Sequence, residues 1–64
     1  MNYAYAKNVI DRAKLSIKGC KDEDYTQLLQ PKLDEVERKL KGKRKNQDLN
    51  REEQALVEDL EMSI

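Results

Sequence analysis

Leu28-Leu29-Gln30-Pro31-Lys32-Leu33-Asp34-Glu35-Val36-Glu37-Arg38-Lys39-Leu40 is the stretch that decides how this chain folds. Leu29, Leu33, Val36 and Leu40 recur at steps of four, three and four. At about 100° per residue they fall in one narrow apolar seam, with Asp34, Glu35, Glu37, Arg38 and Lys39 off it. So narrow a seam suits helix against helix, as in a bundle or short coiled coil.

Working outward, the N-terminal flank repeats the pattern. Tyr3, Ala6, Ile10, Ala13 and Ile17 step by three and four, and Val9 widens the stripe. This predicts a helix over residues 3–18, ended by Gly19 in a left-handed conformation. Leu15 and Tyr5 fall off the stripe, Leu15 nearly opposite to it. An isolated exposed Leu needs no explanation, but the two together are candidates for a contact surface. The helix containing the seam is predicted over 24–41. Asp24 with Gln27 fits a capping box, and Asp22 competes as the cap. Pro31 lies inside that span and removes a backbone donor, so a kink or a break into two helices is expected there.

Gly42 ends the second helix. Residues 42–49 are then a polar linker, expected to be mobile. Asn50-Arg51-Glu52-Glu53 gives the clearest start signal, with Asn50 as cap, Glu53 reaching back and Leu49 in the staple position. Leu56, Val57, Leu60 and Ile64 form the apolar side of a third helix over 50–62, and Ala55 and Met62 point away from it. The predicted fold is therefore all-α: one 64-residue domain, either a small three-helix bundle or a helical hairpin that self-associates.

Composition narrows the function. With no Phe, no Trp and few large aliphatics, the core is small, and a chain of this length is marginally stable alone. Self-association, such as a homodimer, or a permanent protein partner is the expected remedy. A single Cys excludes an intrachain disulfide. Together with the absence of His it removes the usual zinc donor sets. Asp22 and Asp24 imitate the opening of a calcium loop, but Gln27 and Leu33 stand where its Gly and Glu belong. No metal and no cofactor are expected. The absence of His also removes the commonest general base, and no Ser or Thr has a partnering base, so no catalytic residue is assigned and an enzyme is not expected.

Charge is abundant, balanced and segregated. Thirteen positives meet thirteen negatives. Residues 1–20 carry four positives and one negative, whereas 52–64 carry five negatives and no positive. A basic first helix and an acidic last helix are expected to attract one another when packed. Glu52, Glu58, Asp59 and Glu61, with Tyr5 and Leu15, are the candidate partner-binding residues. The basic run Lys41, Lys43, Arg44 and Lys45, extended by Lys7, Lys14 and Lys18 of the first helix, is the alternative site, a contact for nucleic-acid phosphates. It lacks interleaved aromatics, and the net charge is zero. No apolar run is long enough for a membrane span or a leader core, so a cytoplasmic location without membrane contact is expected.

The function expected from sequence is a non-enzymatic interaction protein that modulates or inhibits a macromolecular partner. A nucleic-acid-associated regulator and a structural subunit of a larger assembly are the alternatives. Very short helical proteins of this composition are common among phage and mobile-element regulators, an analogy of size and not of motif.

Overall fold

Three amphipathic segments become three helices: α1 (Tyr3–Gly19), α2 (Glu23–Leu40) and α3 (Arg51–Ser63). The computed structural model describes residues 1–44 and 46–64. Each helix packs on the other two. Asn2 lies beside Asp48 at one end, and Tyr25 reaches Ile64 at the other, so the helices run up, down and up. The radius of gyration is 11.4 Å, close to the roughly 10.7 Å of a compact 64-residue domain. The chain therefore closes its own core as a three-helix bundle, and the open hairpin is not the form it takes.

That core is the predicted seams brought face to face. Ala6, Val9, Ile10 and Ala13 come from α1, Leu29, Leu33, Val36 and Leu40 from α2, and Val57 and Leu60 from α3. Leu49 closes one end, and Tyr3, Ile17, Tyr25, Leu56 and Ile64 pack around the margin, half-buried. Met62 and Leu15 remain outside, 88% and 69% exposed, as their off-seam positions require.

Local chemistry sets the helix ends, and it departs from expectation at two places. Asp22, not Asp24, caps α2, its carboxylate accepting the backbone N–H groups of Asp24 and Tyr25 at 3.0 and 3.4 Å. Asp24 instead occupies the first turn, where a carboxylate suits the positive end of the helix dipole. Gly19 is the last residue of α1, and Cys20 closes the helix by donating its N–H to the Ile17 carbonyl at 3.2 Å. No left-handed residue is needed there; the one described glycine with positive φ is Gly42, at 88°. Of the two expectations at Pro31, a kink or a break, the break does not occur: α2 is one helix across it. Packing of the seam on both sides of the proline outweighs the missing hydrogen bond, so the two-helix alternative is not what forms.

The connection over residues 41–50 does more than span a gap. Tyr3 N–H donates to the Gln47 carbonyl and Leu49 N–H to the Met1 carbonyl, both at 2.9 Å, around an isolated antiparallel bridge between Asn2 and Asp48. Gln47 and Leu49 of the linker thus tie down the start of the chain. The linker's other anchor is Glu53. This residue completes the capping box with Asn50 and also accepts from Lys43 Nζ at 3.0 Å. Only 8% of Glu53 is exposed, so it belongs to the interior rather than to the acidic exterior of α3.

Asn50→Ala removes the cap and is expected to lower stability by about 1 kcal/mol, measurable by urea denaturation. The pH dependence follows from Glu53. Its carboxyl lies below the usual range, first because the Asn50 backbone N–H donates to it, then because of Lys43, with burial opposing both. A depressed carboxyl contributes stability above its unfolded value, near 4.5, and that contribution disappears as pH falls through the folded value. Thermal midpoints of the wild type should therefore drop on acidification below about pH 4.5, and Glu53→Gln should flatten that drop.

Candidate protein-binding surface

The α1–α3 side carries the first cluster of predicted contact residues. Tyr5 lies at the edge of α1's outer face because it is off the buried stripe, and it is 45% exposed. Asn2 caps α1 by accepting the Tyr5 backbone N–H at 3.1 Å, which fixes where that side chain leaves the helix. The Tyr5 hydroxyl donates to Glu61 Oε2 at 2.6 Å. Arg12, two turns along the same side of α1, approaches the same oxygen at 3.5 Å. Glu61 thus receives a phenol and a guanidinium from the facing helix. This is the attraction between basic first and acidic last helix that the charge distribution implies. Two further pairs stitch the remaining seams, Lys14–Glu37 at 3.3 Å and Lys32–Asp59 at 3.4 Å. Each exposed pair contributes only about 0–1 kcal/mol, so they orient the helices more than they hold them.

The Glu61 carboxylate raises the Tyr5 phenol above its ordinary value of 10.0. The hydrogen bond is the main cause, followed by partial desolvation and the nearby negative charge, while Arg12 opposes the rise. Ultraviolet titration should therefore show Tyr5 ionising above the ordinary phenol range, and Glu61→Gln should bring that ionisation down. An unchanged titration in the variant would mean that the hydroxyl does not rest on Glu61.

The remaining candidates divide between surfaces. Glu52, Glu58 and Asp59 lie on the exposed side of α3 with Ala55 and Met62 between them. Asp59 is drawn toward α2 by Lys32, and Glu58 accepts the Gln54 side-chain amide at 3.3 Å. Among the described residues Glu52 and Glu58 have no cation within 4.0 Å. Leu15 stands on the back of α1, away from both neighbouring helices, and does not join this surface.

The described residues of the linker's basic run turn in different directions. Lys43 turns inward to Glu53 and keeps 18% of its side chain exposed. Lys41 lines the groove between α1 and α2. Arg44 is exposed, with its backbone N–H on Gln47 Oε1 at 3.3 Å. Lys45 lies outside the described residues.

Sequence reasoning missed Lys43–Glu53 because ten positions separate two residues that each looked exposed. Arg12 and Lys32, which steer the acids of α3, carried no signal beyond their sign. Among the described residues, no group of three His, Cys, Asp or Glu side chains converges as a metal would require, and no helix is long and apolar enough to cross a membrane. No protein-family model, no curated protein and no solved structure matches this chain.

Proposed function

We propose that this protein is a non-enzymatic interaction module that presents the exposed face of α3, with Tyr5 at its margin, to a basic surface of a protein partner. One observation carries the reading. The exposed side of α3 bears Glu52, Glu58 and Asp59 around a side chain of Met62 that is 88% exposed, and among the described residues only Asp59 of those acids is paired with a cation. A flexible thioether amid carboxylates offers both apolar contact and charge to a cationic counterpart. The reading makes the bundle a rigid carrier whose interior supplies shape and whose exterior supplies recognition. Modulation or inhibition of the partner, in the manner of small phage or mobile-element regulators, would follow from covering that basic surface.

The test is affinity capture from lysate with the wild-type chain and with a Glu52→Gln/Glu58→Gln variant as parallel baits. Both substitutions are on exposed positions, so helical circular dichroism should be unchanged. The wild type is expected to retain a stoichiometric basic protein that high salt releases, because a Debye length near 3 Å at 1 M screens such contacts. The variant should lose most of it. Equal retention by both baits, or retention indifferent to salt, would sink the proposal.

A further inference from the structure

The groove between α1 and α2 lies on a different side of the bundle and involves different residues. Its volume is about 640 Å³, inside the roughly 300–1,000 Å³ of small-ligand sites. The helices are antiparallel, so the first turns of α1 face the last turn of α2. That geometry gathers Lys7 from α1 with Arg38 and Lys41 from the end of α2 at one mouth of the groove, beside half-buried Tyr3 and Gly42. All three cations are exposed, and among the described residues none has a carboxylate within 4.0 Å. At the other end Lys14 and Glu37 close across the groove. Asp11 and Asp34 stand a helical turn from Lys7 and Arg38, toward that closed end.

From this arrangement we propose that the open mouth of the groove binds a phosphate group, held by Lys7, Arg38 and Lys41. Among the described residues Lys7, Arg38 and Lys41 make no ion pair, and with Lys14 they outnumber Asp11, Asp34 and Glu37 in the lining by one, a positive excess that a phosphate monoester can take up. Arg38 supplies a planar fork for two oxygens, and the lysines supply mobile point charges on either side of it. Gly42 helps by absence: a Cβ built there would meet nothing within 4 Å, so the approach is open, and φ of 88° turns the chain away after Lys41. The site differs from the basic run read along the linker, because folding gives Lys43 to Glu53 and joins Lys41 to cations of two helices instead.

The phosphate could be carried by a small ester or by a nucleic-acid backbone, and the experiment has an arm for each. Amide and lysine-methylene NMR signals would be followed during titration with pyrophosphate and, separately, with a short single-stranded oligonucleotide. Shifts confined to the surroundings of Lys7, Arg38, Lys41 and Gly42, weakening as salt is added, are expected in at least one arm. Saturation by pyrophosphate alone assigns the small ester, and tighter saturation by the oligonucleotide assigns the backbone. Lys7→Gln/Arg38→Gln/Lys41→Gln should abolish the response, whereas Lys18→Gln/Lys39→Gln, equally exposed but elsewhere, should retain it. Absence of shifts in both arms, or the same shifts in the triple variant, would overturn the proposal.

Discussion

Leu29→Ala should remove about 3 kcal/mol of stability, while Leu28→Ala, one position earlier, should change it by no more than about 0.5 kcal/mol. The contrast follows from the turn of a helix. Leu29 has no exposed surface and sits among side chains of the common core, whereas Leu28 is 58% exposed. Truncating Leu29 forfeits its transfer free energy and leaves a cavity that rigid neighbours fill only in part. Against a total of roughly 3–10 kcal/mol for a chain of 64 residues, that loss is a large fraction. At about 4–8 °C per kcal/mol the melting midpoint should fall by about 12–24 °C. Thermal melts followed by circular dichroism at 222 nm would read both variants. Similar melts for the two would mean that the seam is not where the structure puts it.

Replacing Pro31 by Ala should act in the opposite direction, stabilising the protein by about 2 kcal/mol. The proline sits inside the continuous helix α2 and is itself exposed, so truncating its ring opens no cavity. Alanine would restore the donor to the Gln27 carbonyl and relieve the clash of the ring with it. An interior proline is about 3 kcal/mol worse than alanine in a helix. It also restricts the unfolded chain, which returns about 0.4–1 kcal/mol of that difference. The urea midpoint of Pro31→Ala should therefore rise without a change in slope. A midpoint that stays put or falls would mean that the bundle needs the proline's geometry to align the two halves of α2.

Those two residues also show where the sequence was legible. The apolar seam of α2 depends only on periodicity, and Leu29, Leu33, Val36 and Leu40 are all buried as the spacing requires. The start of α3 was equally plain, because the reciprocal bonds of Asn50 and Glu53 are local and chemical. Pro31 marks the limit of local reading. Propensity speaks for a break, and only the packing of both halves on α1 and α3 decides for continuity. Asp22 and Asp24 have the same capping chemistry two positions apart, so residue type alone could not choose between them.

The non-local features were out of reach for a different reason. The bridge of Asn2 with Asp48 uses backbone atoms, which leave no mark on residue type. Tyr5 and Glu61 are 56 positions apart, and the sequence offered their charges and exposure but not their meeting. Glu53 read as the reciprocal partner of the Asn50 cap, with nothing to mark it as buried. Its inward turn depends on Lys43 coming back over the start of α3, which only the path of the connection reveals.

Three apolar seams close on one another within one chain. Methyl NOE spectra of isotope-mixed samples test it most directly. Cross-peaks linking the methyls of Val9 and Ile10 to those of Leu33, Val36 and Leu40, and linking these to Val57 and Leu60, should persist when labelled protein is diluted into unlabelled protein. Their disappearance on dilution, with recovery only between differently labelled copies, would show that the seams are covered by a second molecule and would contradict the account.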